Sequence, residues 1–162
     1  MALTISKFRS EDFSVYFFIK DLIGSLVKRV VDGYPYTEIE SETLEVPSVS
    51  VEHTQTMDDG GELGASWFRR TWAVDVFAVN DAQRDELGHL VFDALDKSIP
   101  IRDYSSGFRA DGKGLAGQDL RLIEYAAVED RMMRPTYAFT TLSEKKFWRM
   151  TVTFVTVSTR AT

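Results

Sequence analysis

Apolar residues recur at Val15, Ile19, Leu22, Leu26 and Val30, flanked by Ile23 and Val27. Spacings of three and four residues put them on one face, which predicts an amphipathic helix from about Glu11 to Asp32. Ser10 stands where an N-terminal cap belongs and Gly33 where a C-terminal glycine belongs. Lys28 and Arg29 fall in the last turn, where cations complement the helix dipole. The run Val15–Ile19 is rich in strand formers and leaves a later helix start open.

Gly33-Tyr34-Pro35-Tyr36 reads as a turn. From Thr37 to Thr56 the pattern alternates through Leu44, Val46, Val49 and Val51. This predicts two short strands, or one strand with Pro47 at a bulge or edge. Met57–Gly64 is polar and glycine-rich and reads as an exposed loop.

Trp67 to Val79 has the alternation of a strand, with Trp72, Val74, Val76 and Ala78 on one side and Thr71, Ala73, Asp75, Phe77 and Val79 on the other. Apolar residues on both sides predict a central strand covered twice. Asn80 and Gln83 then have the spacing of a capping box. Leu87, Leu90, Val91, Ala94 and Leu95 give the buried stripe of a second helix, and Arg84, Asp85, Glu86, Asp93 and Asp96 its wet side. Ser98–Asp103 reads as a short strand, and Tyr104–Gln118 as a long glycine-rich loop with few core residues. Leu120–Val128 reads as a strand, with a helix as the alternative. Phe147–Ser158 is a strand in which Trp148, Met150, Val152 and Phe154 share a face. Together these predict an α+β fold, a mainly antiparallel sheet packed against two helices, as a single domain over residues 1–162.

Composition narrows the function. With 162 residues the chain can bury about 70% of its unfolded surface without a staple. It has no cysteine, which removes disulfides and thiolate metal sites. The net charge of −6 argues against wrapping nucleic acid, which needs clustered Lys and Arg. No basic segment followed by an apolar stretch marks a signal peptide, and no apolar run is long enough to span a bilayer.

Two overlapping glycine patterns bear on nucleotide binding. Gly112-Lys113-Gly114-Leu115-Ala116-Gly117 matches G-x-G-x-x-G, and Gly107–Gly114 matches a phosphate loop up to its last residue. That last residue is Gly114, which lacks the hydroxyl that binds magnesium. A small nucleotide-binding domain using Gly107–Gly117 is therefore kept as the alternative from another class. His53 and His89 have no second histidine nearby in sequence, as a zinc site would need. Asp58, Asp59, Glu62, Asp103, Asp119, Glu129 and Asp130 are too many for any one pair to signal acid–base work. Asp75 interrupts an apolar strand and must be paired if buried. No catalytic, cofactor or metal residue is assigned, and the expectation is a protein that is not an enzyme and carries no cofactor.

The segment Phe68–Ala78, followed by Asn80–Arg84 and then Leu87, Leu90, Val91 and Leu95, resembles the tail terminator proteins (tail completion, minor tail) of long-tailed bacteriophages. In that family a strand of the form arginine, four residues, aspartate, valine, aromatic, alanine leads through a polar turn into an amphipathic helix. The helix at Glu11–Asp32, strands like Leu44–Thr56 and a closing strand at Lys146–Val157 follow the family's order. Ser98–Asp130 is longer than in its smaller members, and a head–tail adaptor or stopper subunit is the alternative within the same class. The resemblance implies a virion protein of the tail or neck, assembled in the host cytoplasm. It implies a cyclic ring, a homohexamer, that caps the tail tube and meets connector or stopper proteins and, in contractile tails, the sheath. DNA would pass through the pore without specific binding, and no membrane is involved.

Overall fold

A computed structural model describes residues 5–58, 67–136 and 148–159. They form helices α1 (Ile5–Ile23), α2 (Tyr36–Glu40) and α3 (Asp81–Ala94). The strands are β1 (Arg29–Asp32), β2 (Ser48–Asp58), β3 (Trp67–Ala78), β4 (Ile99–Arg102), β5 (Leu122–Thr136) and β6 (Trp148–Thr159). One six-stranded sheet runs β1-β2-β3-β6-β5-β4. The class is α+β, but the sheet is mixed: β1 pairs parallel to β2, and the other neighbours pair antiparallel.

Helix α1 differs most from expectation. It starts at Ile5, so Ser10 is no cap but a buried residue inside the helix, where its hydroxyl accepts from the Tyr104 amide at 3.1 Å. It ends at Ile23 rather than near Asp32, and Gly24 closes the last turn on the Lys20 carbonyl at 2.8 Å. Lys28 and Arg29 therefore lie beyond the helix: the Lys28 amide donates to Pro47 at 2.8 Å and Arg29 opens β1. Tyr16 fixes this exit, its hydroxyl donating to the Val30 carbonyl at 3.0 Å. Gly33 does end a segment, with φ of +88°, but the segment is β1. Strand pairing outweighs helix periodicity here because Val27 and Val30 can serve either pattern.

The Thr37–Thr56 expectation also changes. Tyr36–Glu40 is a third, short helix, and there is one strand, β2, with Pro47 just ahead of it. Ile39 and Leu44 bury against Phe77. Met57 and Asp58 belong to β2 rather than to a loop, and residues 59–64 lie outside the described residues. Strand β5 begins at Leu122 and runs past Val128 to Thr136, with an irregularity in its register at Glu129/Met132 where Asp130 has φ of +52°. Phe147 lies outside the described residues, whereas β6 follows the predicted face, with Met150, Val152 and Phe154 buried.

The core lies on one side of the sheet. Val15, Ile19 and Ile23 of α1 and Leu87, Val91 and Leu95 of α3 pack on Val49, Val51, Trp72, Val74, Val76, Val152 and Phe154. Each such side chain, fully buried, contributes about 1.5–3 kcal/mol. Helix α1 touches both β2 and β4, which are separated by three strands. The two strands are four steps apart, about 19 Å in a flat sheet at about 4.8 Å per strand, and the sheet is curled.

Asn80 caps α3 as its position predicts, accepting from the Gln83 amide at 2.8 Å, while the Gln83 side chain accepts from the Val79 amide at 3.0 Å. Arg84 is not on the wet side. It is buried, with its guanidinium 5.5 Å from the Trp148 ring centre and 2.9 Å from Asp85.

Candidate assembly surface

Two buried polar clusters hold the sheet's two faces. On the helix side, Glu11 is fully buried, 3.5 Å from Arg70 and within 3.0 Å of Thr156 and 3.2 Å of Ser158. Burial pushes its carboxyl above the usual range, opposed by Arg70 and the two hydroxyls. Asp12 takes the other arm of the same guanidinium at 2.5 Å, and Lys7 meets Glu124 at 2.6 Å, so α1 is tied to β3, β5 and β6 by charge as well as by its apolar stripe. On the opposite side, Asp75 is buried and accepts from Arg149 at 2.9 Å and from Thr151 at 2.6 Å. This is the paired, structural carboxylate that the interrupted strand called for.

The other residues singled out in the sequence are scattered. His53 sits on β2, 2.8 Å from Thr56 and against Trp72, with its pKa lowered by burial and then by Arg70. His89 is exposed on α3. Asp103 pairs with Arg121 at 3.1 Å and is held below the usual carboxylate range, first by the Ser105 hydroxyl. Glu129 and Asp130 both meet Arg69. Asp119 lies 3.9 Å from Lys113. The side chain of Asp58, and Asp59 and Glu62 entirely, lie outside the described residues. Among the described residues no three His, Asp or Glu side chains gather as metal ligands would.

The stretch between β4 and β5 is folded down on α1. Tyr104 stacks on Phe17 at 5.6 Å, Phe108 packs on Phe13 at 4.6 Å, and Lys20 donates to the Ala110 carbonyl at 3.2 Å. Burial pushes the Tyr104 hydroxyl up to about 12. Tyr104 and Leu120 are buried, so the stretch has more core character than its glycines suggest. A cavity of about 590 Å³ remains between α1 and this loop, lined among others by Phe17, Asp21, Arg102 and Lys113. Gly107–Gly117 leads into strand β5, not into a helix, so the helix terminus that receives phosphate in the glycine-rich motifs is not formed at this place.

The remaining surface is broad and open. On the sheet face away from α1 and α3, Thr71, Ala73, Thr153, Val155 and Val157 are only half-buried, and among the described elements α2 and its flanks cover the Phe77 end. Met132 on this face is 56% exposed and Tyr125 is 63% exposed. On the helix side a groove of about 540 Å³ runs along α3, with Leu26, Leu87 and Leu90 at its base and Glu86, His89 and Asp93 around it. Among the described residues no helix is long and apolar enough to cross a membrane. Comparison of the chain with models of known protein families gives no match, and comparison with curated proteins gives none either.

Proposed function

We propose that this chain is a structural subunit of a bacteriophage tail or neck, and that copies of it form a ring that caps the tail tube and joins it to the head-side connector. The observation that supports this reading is the unit made by β3, the Val79–Asn80 turn and α3. A strand carrying Arg70, Asp75, Val76, Phe77 and Ala78 passes through a polar turn into a capped amphipathic helix that ends at Ala94-Leu95. This is the unit on which the resemblance to tail terminator proteins rests. The leading helix α1 and the central strand β6 occupy the places in chain order that the resemblance implies. A subunit of this kind works through its surfaces, and a sheet with one face largely uncovered by the described elements offers a large one.

Electron microscopy of the intact particle tests the proposal. The chain is expected as a closed ring of several copies, six if the family's stoichiometry holds, at the head-proximal end of the tail. Finding it there as a single isolated copy, or away from the tail and neck, would overturn the reading.

A further inference from the structure

The α3 groove and the open sheet face carry complementary features. The groove has an apolar floor, with Leu26 54% exposed, and two acids, Glu86 and Asp93, that have no ion-pair partner among the described residues. The basic Arg84 of the same helix is turned inward onto Trp148 and neutralised by Asp85. An occupant must therefore be apolar at its centre and basic beside it. The opposite face of the molecule presents this combination. Met132 and Arg134 lie two residues apart on β5, opposite Thr153 and Thr151, so both project from the open face. Arg134 is exposed and has no ion-pair partner among the described residues.

We propose that the α3 groove receives the Met132–Arg134 stretch of a second copy of this chain, Met132 seated on Leu26 and Leu90 and Arg134 between Glu86 and Asp93. The two halves are on opposite faces of one subunit, so the contact is heterologous: each copy offers a groove to one neighbour and a strand to the other. Desolvating Met132 and the two leucines supplies attraction, and the Arg134 pairing fixes the register and steers the encounter. This inference rests on the ring reading and identifies which surfaces would build the ring.

The absence of cysteine makes a clean test possible. Leu90→Cys and Met132→Cys variants are purified separately, checked for native circular dichroism, and treated with a short bis-maleimide alone and mixed in equal amounts. Sedimentation of the untreated proteins runs alongside. The expected result is a dimer band in the mixture and little in either variant alone. Arg134→Glu in the Met132→Cys chain is expected to lower that yield about tenfold, and Glu86→Arg with Asp93→Arg in the other chain to restore it. Oligomers by sedimentation without the mixed cross-link would overturn this contact and leave the ring reading standing. Cross-links within one variant alone would replace it with a like-to-like interface. A monomer at every concentration with no cross-link would assign the groove to some other chain, overturn the contact, and remove self-association of the free subunit as well.

Discussion

Glu11 on α1 faces Arg70 on β3 at 3.5 Å with both side chains closed off from solvent, and Asp12 from the same turn holds the other guanidinium arm at 2.5 Å. The pairing joins the first helix to the centre of the sheet, and two consequences can be measured. Replacing Arg70 by Met strands a buried carboxylate and is expected to cost about 3–5 kcal/mol, read as a lower urea midpoint at unchanged slope. A loss below about 1 kcal/mol would show that the pair carries little.

Acidity adds a signature of its own. Burial raises the native pKa of Glu11 above its ordinary 4.5, so folding takes up a proton between the two values. This contribution to stability is complete below 4.5 and is lost as pH rises through the native value. Relative to Glu11→Gln, the unmodified protein is therefore expected to gain stability as pH falls from neutral toward 4.5. Unfolding free energies at several pH values check this, and a gap that moves the other way would refute it.

The α3 cap gives a smaller, local effect. Asn80→Ala removes the acceptor for the Gln83 amide and is expected to cost about 1 kcal/mol, a fall in melting temperature of roughly 2–4 °C for a chain of this size. Asn80→Gly should cost only a few tenths of a kcal/mol. Equal losses from both would point to something other than the side-chain hydrogen bond.

Gly112 tests how firmly the loop sits on α1. Its φ is +82°, and an added Cβ would come within 2.8 Å of the Phe17 ring. Gly112→Ala is expected to destabilise by more than about 1 kcal/mol, and to speed amide exchange at Gly112 and Gly114. Unchanged exchange there would show that the loop is not held by that contact.

The ring reading carries an electrostatic expectation. With a net charge of −6 per subunit, the channel wall is expected to be acidic or neutral, so that duplex DNA slides without sticking. Screening limits this repulsion to about 8 Å at physiological salt. Fluorescence anisotropy with a duplex should find no tight, salt-sensitive binding by the free protein; finding it would count against the reading.

The elements that announced themselves were those with one period and a chemical stop. β3 shows clear alternation, α3 has both its stripe and its Asn80–Gln83 cap, and β6 has Met150, Val152 and Phe154 on a single face. The errors came where long-range contacts decide. Val27 and Val30 extend the helical spacing of α1, yet the partner that makes β1 is Val49 on another segment, and the Tyr16 hydroxyl reaches across to hold it. Arg84 looks like a wet position on an amphipathic helix, and Glu11 like no more than the start of one. They are buried because Trp148 and Arg70 arrive from distant strands, and no local pattern encodes those meetings. That Asp75 would need a partner if buried was legible, but its burial and its partner Arg149 were not, because register sets that pairing. The groove beside α3 was invisible for a similar reason: its Leu26 belongs to a turn that the sequence reads as helix.

Strand β6 sits between β3 and β5 although it is the last described strand along the chain. During synthesis the middle of the sheet is therefore missing until residues 148–159 have been made. At roughly 5–20 residues per second, ribosomes take roughly one to five seconds to go from Thr136 to Thr159. For that interval β3 and β5 each offer an unpaired edge, and neighbouring nascent chains on the same message carry the same edges. The tempo of translation over this one stretch then bears on whether a chain closes its own sheet before its open edges meet another's.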